Sequence, residues 1–170
     1  MDVDLLSFEN PIFKSYVFWS AVLIIKMLLM APLTGFHRFR TQTYINKEDL
    51  IVYDWLKCIP LINSFANPED LPSKKLKVKF DEPSVERVRR AHRNDLESIL
   101  PFFVAAFFYV LTGPNEFIAI NLFRAVAVSR ILHTFVYAIV PLPQPSRALA
   151  FFTCLLATLY MSIIVILKTL

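Results

Sequence analysis

Residues 85–111 read VERVRRAHRNDLESILPFFVAAFFYVL. The first half is crowded with charge. The second half, FFVAAFFYVL at 102–111, is too apolar for an ordinary surface helix, which alternates an apolar stripe with a polar face. A charged patch that opens directly onto an apolar run reads as the mouth of a membrane segment. Charge at that depth is costly and marks a place where a polar ligand is held at the bilayer edge.

The rest of the chain agrees. It has 170 residues and only two glycines, and its mean hydropathy is +0.51. Several stretches approach the roughly 20 apolar residues that a membrane helix needs. The expected fold is all-α, a polytopic membrane protein forming one domain over residues 1–170. Its four-transmembrane-helix bundle is antiparallel, up-down in topology. The spans fall at 13–36, 95–112, 117–140 and 148–167, and residues 87–94 continue the second helix below the membrane. Thr112, Gly113, Pro114, Asn115 and Glu116 form a tight turn with two breakers. Pro141, Leu142, Pro143, Gln144 and Pro145 form a stiff connection that cannot continue a helix. Links this short make neighbouring helices antiparallel.

Basic residues set the orientation. The 37–93 connection carries Arg38, Arg40, Lys47, Lys57, Lys74, Lys75, Lys77, Lys79, Arg87, Arg89, Arg90 and Arg93, and the Thr112–Glu116 turn carries none. The positive-inside rule therefore puts that connection and the Pro141–Pro145 turn in the cytosol, with both termini on the other side. The formal charge of +4 mostly reflects this loop. A basic loop beside anionic lipid explains it better than nucleic-acid binding does. The first span is too long for a signal peptide and lacks a small-x-small cleavage site. Cys58 falls in the loop and Cys154 within the fourth span, so no disulfide is expected. No metal-ligand spacing, phosphate-cradling glycine loop or Ser-His-Asp signature is present.

Within the loop, TYINKEDL at 43–50 and SFANPEDL at 64–71 match at Asn, Glu, Asp and Leu with identical offsets. Two copies do not make a solenoid. Chance similarity between loop segments is the bland explanation. A local duplication, or two versions of one segment in one chain, is preferred. The intervening IVYDWLKCIPLI is apolar and suits a short interfacial helix.

A helix advances about 100° per residue, so Glu86, Arg89, Arg90, Arg93, Asn94 and Glu97 share a face of about 140°, with His92 about 60° beyond Arg89. Such a face suits a ligand with carboxylates, an ammonium and amides. Arginines clamp carboxylates as planar forks, Glu97 suits an ammonium, and Asn94 both donates and accepts. A solvated helix start with i,i+4 pairs such as Arg93–Glu97 is the equally weighted alternative. The third span shifts that balance. Arg130, His133 and Tyr137 lie within about 60° of one another. An arginine at mid-helix costs about 2.5–3.5 kcal/mol to insert and needs a partner. Arg147 starts the fourth span at the same depth, as a site residue or a snorkelling anchor. Arg124 points elsewhere and reads as structural, pairing across helices. Lys26 is costly too, with snorkelling, pairing in the bundle and an interface role all open.

The stretches IKMLLM (25–30), ANPED (66–70), VERVRRAHRNDLESILPF (85–102) and FRAVAVSRILHTFVYAIVPLPQPSRALAFF (123–152), with the Leu-Thr-Gly-Pro turn, resemble one known family. It is the membrane-associated proteins in eicosanoid and glutathione metabolism (MAPEG), and the likeness is closest to the microsomal glutathione S-transferase 1 type. It covers nearly the whole chain outside 41–63. The resemblance implies a homotrimer in the endoplasmic reticulum membrane, with the outer mitochondrial membrane as a second location. It implies glutathione as co-substrate, no metal, and a cytosol-facing site between adjacent subunits. It implies that Arg38, Arg90, His92, Arg93, Asn94, Glu97, Arg130, His133 and Tyr137 bind glutathione, and that Arg147 lies near the thiol as the catalytic residue. The implied activity is conjugation of the glutathione thiolate to hydrophobic electrophiles, with peroxidase activity on lipid hydroperoxides. Two departures stand out. Mammalian members of this type have a cysteine directly after ANPED, linked to activation by thiol modification, where this chain has Leu71. And if ANPED is the family segment, residues 41–63 are an insertion.

Other readings share some of these residues. A prostaglandin E synthase-like isomerase carries RAHRND almost unchanged, although PLPQPSRALAFF here is more similar to the transferase type. A non-catalytic scaffold presenting lipid to a partner enzyme has no need of so many buried charges. A loop-altered, inactive subunit that mixes into trimers is the weakest reading.

Overall fold

The structure is a computed structural model that describes residues 4–40 and 83–170, except the side chains of 38–40. The segment pair at 43–50 and 64–71, the apolar stretch between them, Cys58, Leu71 and the 41–63 insertion all lie outside the described residues. Four helices follow in order: α1 (Pro11–Arg40), α2 (Pro83–Leu111), α3 (Glu116–Thr134) and α4 (Ser146–Thr169), with a π-helical turn at Phe135–Ile139 extending α3. No strand occurs among the described residues. Each helix is long and apolar enough to cross a bilayer, so the chain is an all-α, four-span membrane protein.

The chain divides into two units, Met1–Leu28 with Ala91–Leu170, and Leu29–Arg90. In the first unit the helices alternate in direction. Along α1 from Tyr16 to Lys26 the partners on α2 run backwards, from Phe103 to Asp95. Along α2 from Asp95 to Phe102 the partners on α3 run from Arg130 back to Phe123. One core holds the helices together, built from Leu23 on α1, Ile99, Phe102 and Ala106 on α2, Phe123 and Val126 on α3, and Met161 on α4. Small residues at Ala106, Ala119, Ala127 and Ala157 let the backbones approach. Tyr16 donates its hydroxyl to the Phe103 carbonyl at 3.1 Å and sits edge-on to Phe123. Of the phenylalanines on α2, Phe102 is fully buried while Phe108 faces outward.

Polarity is inverted relative to a water-soluble bundle. Phe18, Ile25, Leu28, Val104, Leu156 and Ile166 are exposed, whereas Asp95, Arg130 and His133 are buried. Hydrocarbon around the bundle makes this favourable, because lipid solvates the leucines and only protein can solvate the ions.

In the second unit, Met30 on α1 and Val85 and Val88 on α2 are buried. Arg89 pairs with Glu86 one turn earlier at 3.1 Å. Both side chains are partly exposed, and such a pair contributes little.

Local chemistry sets the helix ends. Gly113 closes α2 in the left-handed region at φ 60, its N–H donating to the Val110 carbonyl. Asn115 caps α3 by accepting from the Ile118 N–H at 3.2 Å. The far end of α3 widens because Pro141 follows. A proline ring clashes with the carbonyl four residues back and disfavours helical geometry in the residue before it. Val140 is accordingly extended, at φ −122 and ψ 90, and its N–H reaches the Phe135 carbonyl at 2.8 Å, one residue further than an α-helix allows.

The two glycines predict opposite outcomes. A Cβ at Gly113 meets no atom of the described residues within 4 Å, so its backbone conformation is what resists alanine. Gly113→Ala is expected to lose about 1–2 kcal/mol of stability. Gly35 lies inside α1 with equally open space among the described residues, so Gly35→Ala is expected to gain about 0.5–1 kcal/mol. Thermal unfolding in detergent separates the two, and a shared sign would contradict the argument.

Candidate functional site

Three ions from three helices meet inside the first unit. The Asp95 carboxylate on α2 is completely buried, and both of its oxygens are engaged. Oδ2 accepts from Lys26 Nζ on α1, and Oδ1 accepts from Arg130 Nη2 on α3 at 2.6 Å. The Lys26 side chain is 10% exposed and that of Arg130 is 0% exposed. Two cations against one carboxylate leave one net positive charge in the interior. Lys26 therefore pairs within the bundle.

The same Arg130 Nη2 donates to Asn94 Oδ1 at 2.8 Å and lies 3.4 Å from His133 Nδ1. A guanidinium has no acceptor, so the histidine nitrogen facing it carries the lone pair and the ring proton sits on Nε2. His133 stacks almost parallel on Tyr137, centroids 5.5 Å apart and planes 10° apart. The guanidinium of Arg147, in the first turn of α4, lies over the same Tyr137 ring at 5.1 Å. The π-turn holds Tyr137 at this meeting point. A continuous line thus runs Lys26, Asp95, Arg130, His133, Tyr137, Arg147. It covers about 10 Å along the α3 axis between Arg130 and Tyr137.

Two of these arginines retain buried donors without an acceptor among the described residues, Nε and Nη1 of Arg130 and Nε of Arg147. Arg147 also stands where the backbone N–H groups of α4 begin, the positive end of the helix dipole. Its guanidinium and that helix start favour an anion jointly.

The other residues expected at the site fall as follows. Arg93 and Glu97 are exposed on α2, His92 is half-buried there, and among the described residues none of the three bonds to the ion cluster. Arg90, in the second unit, is exposed. The side chain of Arg38 lies outside the described residues. Arg124 corrects an expectation: it reaches Asn121 on its own helix at 3.4 Å, and among the described residues it does not pair across helices. Its exposed position, one turn from an amide, explains this. Asp95 was missed by sequence reasoning. The available signal was a lone carboxylate at the start of an apolar span with two cations, Lys26 and Arg130, in neighbouring spans, each of the three in need of a partner. Cys154 is a buried free thiol. No cluster of three or more metal-ligating side chains occurs among the described residues.

Fold and site together define a four-span helical membrane protein with a charged core. The model of the MAPEG family matches residues 16–167, and the chain belongs to that family. It is 37% identical to human microsomal glutathione S-transferase 1 over 154 residues, 91% of this chain and 88% of that protein. It is 38% identical to the pig protein of the same name over 144 residues, 85% of this chain and 82% of the relative. Bovine prostaglandin E synthase is 34% identical over 144 residues, 84% of this chain and 80% of that protein.

Proposed function

We propose that this protein is a glutathione S-transferase that conjugates the glutathione thiolate to hydrophobic electrophiles and reduces lipid hydroperoxides with the same thiolate. The observation that carries the reading is Arg147, seated on the Tyr137 ring at the start of α4 with a buried Nε that has no acceptor among the described residues. A free thiol has a pKa near 8.5 and only its thiolate is a good nucleophile. A fixed cation and a helix start in a poorly hydrated site lower that value. Arg147 stabilises the thiolate in this proposal, and Arg38, Arg90, His92, Arg93, Asn94, Glu97, Arg130, His133 and Tyr137 hold the tripeptide. Asn94, Arg130 and His133 do so from an interior already tied together. The exposed apolar flanks of the helices favour electrophiles that partition into the bilayer.

The site lies between adjacent subunits of a homotrimer, facing the cytosol together with the basic 37–93 connection. The location is the endoplasmic reticulum membrane, and the outer mitochondrial membrane is second. Leu71 removes activation through a thiol at that position, and the 41–63 insertion bears on whether this form is active.

Glutathione added to the purified protein in detergent is expected to produce the ultraviolet thiolate band at neutral pH, and aryl-halide conjugation is expected to exceed prostaglandin H2 isomerisation. The stronger similarity to the transferases supports that order. Faster isomerisation would assign the synthase reaction instead. Binding without a band would point to a non-catalytic scaffold. No binding would end the transferase reading for this form, and deleting 41–63 would test the insertion as the cause.

A further inference from the structure

We propose that Asp95 is a positioning residue for Arg147, acting through Arg130, His133 and Tyr137 inside a single subunit; the assignment rests on the transferase reading above. Asp95 contacts neither Arg147 nor any surface, because it is fully buried. Its grip on Arg130 is a charge-assisted bond at 2.6 Å, and Lys26 holds its other oxygen in place.

Each link restricts the next. With Nη2 committed to Asp95 and Asn94, the Arg130 guanidinium has a fixed plane. That plane sets Nη2 3.4 Å from His133 Nδ1, a longer contact that shares one of the two Nη2 hydrogens, and so restricts where the imidazole sits. The imidazole lies parallel to the phenol of Tyr137, so its orientation sets that of the phenol. The phenol face is where the Arg147 guanidinium rests. Arg130, His133 and Tyr137 follow one another along α3 and its π-turn, which keeps the links in one stack. A cation that must meet a sulfur atom needs its position fixed to a fraction of an ångström, and small misplacements far from the chemistry carry large rate losses.

The competing role is that of a mere countercharge. Asp95 would then neutralise a lysine or an arginine and leave Arg147 unaffected. The two roles differ in sign. Removing the carboxylate makes the interior more positive by one charge, which by field alone favours a bound thiolate. Loss of positioning disfavours it.

The experiment uses the full chain in detergent with glutathione. It compares wild type, Asp95→Glu and Asp95→Asn, each checked by circular dichroism and thermal unfolding. The readouts are the thiolate band at neutral pH, glutathione affinity by equilibrium dialysis, and kcat and KM for an aryl halide. Asp95→Glu keeps the charge and displaces the carboxylate by one methylene. It is expected to lower kcat about tenfold or more, with a weaker band and glutathione affinity changed less than about threefold. Asp95→Asn is expected to weaken the band despite the added positive charge. Should Asp95→Asn fail to fold, Asp95→Glu decides alone. A folded Asp95→Glu with wild-type band and kcat would overturn the assignment, as would a stronger band in Asp95→Asn. Those results leave the transferase reading standing, whereas a wild type without the band overturns both.

Discussion

Arg147→Ala is expected to lower aryl-halide conjugation by about 10²–10³-fold at saturating glutathione, the usual loss when one preorganised group that stabilises a developing or bound anion is removed. Glutathione is expected to remain bound, held by the other polar residues, while the thiolate band disappears. Folding is expected to change little. Among the described residues Arg147 rests on the Tyr137 ring, an interaction of about 0.5–2 kcal/mol. Arg147→Lys keeps the charge without the planar fork, so it is expected to retain part of the band. The decisive comparison is band against binding in one sample. An Arg147→Ala protein that binds glutathione and still shows the full band would remove Arg147 from the chemistry. One that loses activity only as it loses helical structure would make the arginine structural.

Asp95→Ala is expected to give the largest stability loss of any single change described, about 3–5 kcal/mol, because it leaves two cations buried without a counter-ion. The companion variant is more telling. Lys26→Met with Asp95→Leu and Arg130→Met replaces the whole cluster with apolar groups of similar length. Buried ion groups replaced together are often neutral in stability or better. The triple variant is therefore expected to melt near or above the wild type while failing to form the thiolate. Thermal unfolding in detergent reports the first and the ultraviolet band the second. An Asp95→Ala protein that melts with the wild type would mean that water or lipid headgroups already share those charges.

The four helices were legible because apolar length is a direct consequence of bilayer thickness. The turns were legible because Gly113, Pro114, Pro141 and Pro143 forbid continuation. The grouping of Arg130, His133 and Tyr137 was legible from helical spacing. Their partners were not. Spacing along one helix says that Arg130 needs a partner but not which neighbouring residue meets it, so it does not point to Asp95, one residue beyond Asn94. Nor does a wheel drawn at a constant 100° hold beyond Thr134, where Pro141 forces the helix to widen. Lys26 remained unassigned for the same reason as Asp95: each is explained only by the other. Arg124 was assigned a partner across helices because charge in a span demands one, and the near amide of Asn121 served instead.

The three buried ions also bear on how the chain enters the membrane. They arrive on successive segments: Lys26 with α1, Asp95 with α2, Arg130 with α3. Each alone makes insertion of its segment less favourable, by up to about 2.5–3.5 kcal/mol where the charge lies at mid-helix. When α2 joins α1 the pair is neutral, and when α3 joins them its arginine finds a carboxylate already in place. Insertion of one helix is thereby linked to its docking on the one before, in the order of synthesis. A bundle whose spans were purely apolar would let each span settle in the bilayer on its own. In this one each buried ion favours docking of its span on the one before it.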